Sequence, residues 1–498
     1  MNSVEQAEYK ATMSSLALVC RFFCAESLPR VFRSMVFSGM RHGTTAPSYS
    51  TFCRQLIAGE KTAYYLGQHV KDCTLNYWMK ASDASQWVYK NFLKLYVKAI
   101  PRFANLQTLR FHDVPLDFQF LFSLKDLKML ENLSISHCAL SALTDPKFTP
   151  SGSLSIKRFE FLEARGDQVE NVTYDDPLSQ LVASPSLHTL HTNDWLFFVR
   201  FMRLPVDFSI KVIHAPLHVS SIAGWEFFLN ATPSITEICI TKIISLGEHN
   251  PFTSPLLTLQ KSSLPYLNTL KGPTCLITQL VPGRPLTNVQ IDCITLPSMH
   301  LAMQDATSNE HRTISALERT TGPITVLRVP ANVYLCRPLD SVFPQLGTLT
   351  LDITEPEAAH RPKMLENACL KWPKTPPIRS LYFNVWAIPL WLFDLPLQLR
   401  TLSAISTAFP TARKIRLCET VEWRRQDERD AWQPVLMSPA PPAHSVYALL
   451  KTMLCHGHNA RVKDSHGVLA RLFDPTSEAD ALYLRNLRAL PEDHGAGE

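Results

Sequence analysis

An apolar residue followed by apolar residues three and five positions later recurs about a dozen times along this chain. The clearest copy is Leu130, Leu133 and Ile135, continued by Cys138 and Leu140. Leu106, Leu109, Phe111 is another, as are Leu187, Leu190, Thr192 and Ile235, Ile238, Ile240. Later copies are Leu267, Leu270, Gly272; Leu286, Val289, Ile291; Ile324, Leu327, Val329; and Leu346, Leu349, Leu351. Ile378, Leu381, Phe383 and Ala412, Ile415, Leu417 close the series, and Val70, Cys73, Leu75 and Ile156, Phe159, Phe161 are weaker early members. Side chains alternate along a strand, so the first, fourth and sixth residues of each copy belong to a core and the third, fifth and seventh to solvent.

The spacing L-x-x-L-x-L-x-x-N/C builds one strand and a return segment per copy, as in a leucine-rich repeat. The fold class it predicts is α/β, an irregular leucine-rich-repeat solenoid of about 12 repeats over 46–436, a horseshoe with a parallel concave sheet. The first members of successive copies lie about 31 residues apart on average, with steps from about 19 to about 48, which predicts uneven returns. Leu116–Leu127 and Met364–Trp372 read as helices within those returns. Prolines precede several strands, as in Phe343-Pro344, Leu264-Pro265 and Thr232-Pro233, where they end a helical turn and start an extended segment.

Outside the repeats the period changes. Leu16, Val19, Cys20 and Phe23 fall at helical spacing, and Ser27 reads as the cap of a second helix with Pro29 in its first turn. Leu28, Val31, Phe32 and Met35 would form that helix's apolar side. Met437–Ser445 reads as a linker, followed by helices at Val446–Leu454 and Ser477–Leu490. Together 437–498 are expected to form a linker and a helical C-terminal tail or cap, with Val446, Leu449, Leu450 and Met453 spaced to cover the last repeat.

Composition narrows the chemistry. The chain has 498 residues, 46% hydrophobic and 19% charged, as a folded protein has, with net charge +5 from 49 basic and 44 acidic residues. That dispersed excess gives no reason to expect nucleic acid. Glycine is scarce at 16, against a phosphate-cradling loop, and no G-x-S-x-G, H-E-x-x-H or Walker motif occurs. The 12 cysteines contain no C-x-x-C and read as buried reduced thiols. Cys455-His456-Gly457-His458 lacks a second ligand pair, so no metal and no cofactor is expected, and no enzyme activity. No apolar run reaches a membrane-spanning length and no leader is evident, so the expected setting is intracellular, cytoplasmic or nuclear, without a membrane.

Candidate function lies on the solvent side of the strands. The register places Thr108, Arg110 and His112 there, with Asn132, Ser134 and Ser136, then Thr189, His191 and Asn193, then Glu237 and Thr241. It continues with Asn288, Gln290 and Asp292; Thr348, Thr350 and Asp352; Ser380, Tyr382 and Asn384; and Lys414 and Arg416. From these, Arg110, His112, Asn132, Ser134, His191, Asn193, Glu237, Gln290, Asp292, Thr350, Asp352, Tyr382, Asn384 and Arg416 are the candidate binding residues. Hydrogen-bonding groups with few charges suit a protein or peptide partner.

The N-terminal segment Ser14-Ser15-Leu16-Ala17-Leu18-Val19-Cys20-Arg21-Phe22-Phe23, followed by Ala25 and Leu28-Pro29-Arg30-Val31-Phe32, resembles the second half of an F-box. The remainder resembles the F-box leucine-rich-repeat-like proteins of mushroom-forming fungi, on Leu264-Pro265-Tyr266-Leu267 through Pro273, Val281-Pro282-Gly283-Arg284-Pro285-Leu286, Val421-Glu422-Trp423 and Trp432-Gln433-Pro434. The resemblance implies a partial F-box-like helical segment over 1–45, docking a Skp-type adaptor through Leu16, Leu18, Val19, Cys20 and Phe22 and so joining a cullin scaffold. It implies a substrate-recognition subunit of a ubiquitin ligase, holding an unidentified protein substrate on the repeats. The usual L-P-x-E opening and its apolar helix are replaced by Met1-Asn2-Ser3-Val4-Glu5-Gln6-Ala7-Glu8-Tyr9, and the first helix of the F-box is expected to be absent or degenerate. The alternative is a repeat scaffold that binds a protein without adaptor docking.

Overall fold

The computed structural model describes residues 3–39, 49–79, 86–141, 152–162, 175–205, 208–244, 257, 259–260, 262–292, 306–331, 342–353, 377–385, 395–417, 421–428 and 430–436. The chain divides into two units, Met1–Leu267 and Asn268–Glu498.

In the first unit the strands are β1 (Ser34–Ser38), β2 (Asp72–Asn76), β3 (Thr108–His112), β4 (Pro115–Asp117), β5 (Asn132–Ser136), β6 (Ala139–Ser141), β7 (Arg158–Leu162), β8 (Thr189–Thr192), β9 (Val212–His218) and β10 (Glu237–Ile244). β1, β2, β3, β5, β7, β8, β9 and β10 pair in that order, every pair parallel, while β4 and β6 form a separate parallel pair. Parallel neighbours require a crossover, and the helices Gln86–Ala99, Asp175–Val182, Trp195–Met202 and Ile222–Ala231 lie in the returns.

Register aligns the cadence positions across the sheet. Leu109, Leu133, Phe159, Leu190, Ile213 and Ile238 stand side by side and are fully buried. β9 carries a copy the sequence reading passed over, Ile210, Ile213 and Ala215, all buried. It splits the longest gap into steps of 23 and 25 residues, seen in the pairings Leu190↔Ile213 and Ile213↔Ile238. The obscuring feature is Pro216 within the strand, which removes a backbone donor and breaks the apolar alternation. β1 is a second such copy, with Met35 and Phe37 buried, starting from Phe32 at the end of a helix.

The returns bury aromatic rings against the strands. Asp194 caps Trp195–Met202 by accepting the Phe197 N–H at 3.0 Å, and Phe197, Phe198 and Phe201 are fully buried. Phe197 meets Phe159 and Phe161 at 5.6 and 5.2 Å between ring centroids, and Phe198 meets Trp225 at 4.7 Å. Leu116–Leu127 is only partly the expected helix. It opens with β4, then runs through the short helix Phe118–Ser123, capped by Asp117, and a 3-10 turn at Leu124–Asp126.

The N-terminal segment forms two helices, Ser3–Ala17 and Arg21–Phe32, packed on one another. Lys10 donates from Nζ to the Ser34 carbonyl, tying the first helix to β1. Three expectations fail here. A turn at Leu18 and Val19 separates the helices, so Leu16, Val19, Cys20 and Phe23 do not share one helical face. Ser27 is no cap: the second helix starts after extended Cys20, and Ser27 and Pro29 lie inside it, with Ser27 buried. Met35, expected on that helix, belongs to β1.

In the second unit the strands are β11 (Thr269–Pro273), β12 (Asn288–Asp292), β13 (Val326–Pro330), β14 (Thr348–Ile353), β15 (Ser380–Val385), β16 (Lys414–Arg416), β17 (Val421–Arg424) and β18 (Gln433–Leu436). β11 to β16 pair in sequence order, all parallel, with Leu270, Val289, Leu327, Leu349, Leu381 and Ile415 aligned and fully buried. β17 and β18 then run antiparallel and cover the edge of β16, burying Trp423. Pro434 sits in β18, where a missing N–H is tolerated at a sheet edge. The expected helices at 364–372, 446–454 and 477–490, and the linker at 437–445, lie outside the described residues.

Candidate functional site

The polar side of the first unit's sheet is a connected row rather than a set of free solvated groups. Thr74, Arg110, Ser134, Glu160, His191, His214 and Cys239 occupy equivalent positions on β2, β3, β5, β7, β8, β9 and β10. Ser134 donates from Oγ to Glu160 Oε2 at 2.8 Å, and His191 Nδ1 lies 3.1 Å from Glu160 Oε1. The His191 and His214 rings meet edge-on at 5.2 Å, and His214 Nε2 lies 3.0 Å from Glu237 Oε1. Burial holds the His191 imidazole below its ordinary pKa; the Glu160 carboxylate opposes this, and His214 and Arg158 reinforce it. Neighbouring Arg110 is exposed.

The adjacent positions are similarly engaged. Asn132 donates from Nδ2 to Thr108 Oγ1 at 3.2 Å, and Thr108, expected in solvent, is buried beneath it. His112 Nδ1 lies 2.9 Å from Ser136 Oγ, and its ring is edge-on to Tyr77 at 5.3 Å and to His137 at 5.1 Å. The half-buried Asn193 donates its backbone N–H to the Phe161 carbonyl at 3.3 Å just past the end of β8.

In the second unit Lys271, Gln290, Arg328, Thr350, Tyr382 and Arg416 form the corresponding row, all half-buried. Arg328 Nε lies 3.1 and 2.9 Å from the two carboxylate oxygens of Asp352. Asp352, expected as an exposed binding group, is only 1% exposed and serves this ion pair, which leaves Asn384 beside it as the accessible neighbour. Asp292 lies 4.0 Å from Lys271; burial raises its pKa, Lys271 and Arg328 pull it down, and Asp352 raises it. The Arg416 guanidinium sits over the Tyr382 ring at 4.5 Å.

Sequence reasoning missed Glu160, His214, Lys271 and Arg328. Each is the fifth residue of its copy, so the register alone would have found three of them, and the copy beginning at Ile210 would have found His214.

The residues expected to dock an adaptor lie at the turn between the first two helices. Leu18 is 89% exposed, Val19 66% and Phe22 68%, with Phe23 at 40%. Cys20 is exposed, Leu16 is half-buried, and the Phe22 and Phe23 rings meet edge-on at 5.6 Å. Adjacent large apolar side chains left in water are unusual on a folded monomer and mark interaction sites.

Among the described residues no group of three or more His, Cys, Asp or Glu could hold a metal ion, and no helix is long and apolar enough to cross a membrane. Cys455 to His458 lie outside the described residues. Cys53, Cys73, Cys138 and Cys239 are buried. Burial pushes Cys53 and Cys138 up to about 12 and Cys73 well above its ordinary value, which disfavours the thiolate in each.

No family model matches the sequence, and no curated protein matches it. Among solved structures the chain is similar to an internalin from Listeria monocytogenes, with 10% identity over 81% of this chain and 93% of that one and a TM-score of 0.26. The fold class rests instead on the strands. One parallel strand per cadence copy, aligned in register with its apolar positions buried and helices or turns in the returns, defines both units as leucine-rich-repeat-type α/β sheets.

Proposed function

We propose that this chain is the substrate-recognition subunit of an SCF-type cullin ubiquitin ligase, without catalytic chemistry of its own. In this reading the turn formed by Leu16, Leu18, Val19, Cys20 and Phe22 docks a Skp-type adaptor, and the polar strand faces hold a protein substrate for ubiquitin transfer by other subunits. It acts in the cytoplasm or nucleus, where that machinery works. The observation that carries the reading is the exposed apolar patch of Leu18, Val19 and Phe22, which falls within the segment that resembles an F-box. Burying three such side chains is worth roughly 1.5–3 kcal/mol each, enough to anchor a partner. The strand faces supply the second half of the task, since repeat sheets present extended recognition surfaces.

The test is co-expression with a Skp-type adaptor. A complex that survives purification, and that Leu18→Asp with Phe22→Asp abolishes while the chain stays folded, supports the ligase reading. A folded chain that elutes without adaptor instead supports the protein-binding scaffold that lacks adaptor docking.

A further inference from the structure

The basic residues at the end of the second unit's sheet come from separate parts of the sequence and are gathered by strand pairing. Arg413 and Lys414 both donate their backbone N–H groups to the Arg379 carbonyl, at 2.8 and 3.0 Å, which sets Arg379 beside them on the neighbouring segment. Lys414 on β16 stands opposite Arg424 on β17. Arg379, Arg413, Lys414 and Arg424 are exposed, and Arg416 is half-buried on the Tyr382 ring. Among the described residues of β15, β16 and β17 the carboxylate is Glu422, which is buried and held by Arg424 at 2.5 Å. The acidic turn of Asp427, Glu428 and Asp430 follows Arg425, which donates its backbone N–H to the Arg413 carbonyl at 3.0 Å and whose guanidinium is clamped to the Pro410, Ala412 and Glu428 carbonyls and stacked on Trp432.

Like charges directly opposite one another destabilise a sheet, and in the Lys414–Arg424 pair the ion pair with Glu422 offsets this on the Arg424 side. Arg416 is different in kind. Its stacking on Tyr382 fixes the guanidinium plane, and it stands opposite Glu422, whose carboxylate is held by Arg424. On the reading that the strand faces hold the substrate, we infer that the β15–β17 end of the second unit binds an acidic, extended peptide segment of that substrate. Alternate side chains of an extended peptide repeat about every 6.6 Å, a spacing that adjacent strands about 4.8 Å apart can meet with successive cations. Stacking of nucleic-acid bases would need open aromatic faces, and Arg416 already lies over the Tyr382 ring. The chain's net charge of only +5 also fits a local rather than a polyanion-wide attraction.

The experiment measures fluorescence anisotropy of a labelled Asp/Glu-Ser peptide with the full chain, against a Lys-Ser peptide of equal length, at low and physiological salt. The acidic peptide is expected to bind at least about tenfold more tightly than the basic one and to weaken with salt. Arg413→Glu with Lys414→Glu should reduce its affinity about tenfold or more with unfolding unchanged, since both residues are exposed. Tyr382→Leu should weaken binding to a smaller degree. Equal affinity for the two peptides, full affinity in the double variant, or tighter binding of a single-stranded RNA or of phosphatidylserine vesicles would overturn the inference. Adaptor co-purification from the same samples separates the two claims: acidic-peptide binding lost with adaptor retained rejects this inference alone, and the reverse rejects the ligase alone.

Discussion

Arg328 and Asp352 show how a single polar position on a strand face can become structural. Asp352 is almost wholly removed from water, and its carboxylate is held by Arg328 through Nε. Removing the arginine leaves a buried carboxylate with its main counter-charge gone, so Arg328→Ala should cost about 3 kcal/mol in urea unfolding, and Asp352→Asn less. His191 gives a prediction with a sign. Its folded pKa is depressed, so below about pH 6.5 the unfolded chain takes up a proton that the folded chain resists. The stabilising contribution is therefore complete above about pH 6.5 and is lost as pH falls through the lower folded pKa. Urea melts at pH 7.5 and pH 5.5 should show this loss, and His191→Gln should reduce the difference between them. Period two in the sequence placed His191 on the polar side. The same register puts Glu160 at the equivalent position of the preceding copy, whereas His214 emerges only when the copy at β9 is counted.

At the scale of elements, the strands were legible wherever three apolar residues kept the one-four-six spacing. They were lost where another signal masked it. Pro216 lies within β9, and Phe32 before β1 closes a helix. Ser27 illustrates the converse: a good capping residue followed by proline looked like a helix start, but packing between the first two helices carries the second helix through Pro29. The edge is a further case. β17 and β18 cover β16 from within the repeat region, which the cadence does not foretell because antiparallel pairing follows from hydrogen bonding. Two substitutions probe these elements. Ile213→Ala in β9 should destabilise by about 2–5 kcal/mol, since the residue is fully buried in line with Leu190 and Ile238. Phe198→Ala should cost about 3–5 kcal/mol through its contacts with Trp225 and Phe228. Thermal or urea unfolding measures both.

For the molecule as a whole, the buried apolar rows and the turn proposed to dock an adaptor are different surfaces. The aligned apolar positions sustain the two sheets, the polar rows form their outer faces, and the turn at Leu18 and Phe22 stands apart with apolar side chains in water. That separation makes the ligase reading testable without disturbing the fold. The most direct measurement is size-exclusion chromatography of the chain co-expressed with a Skp-type adaptor, for the native sequence and for Leu18→Asp with Phe22→Asp. The account predicts a stoichiometric complex for the native chain, and a variant with an unchanged unfolding midpoint that elutes alone. A native chain that is folded and elutes without adaptor, or a variant that retains it fully, would contradict the account.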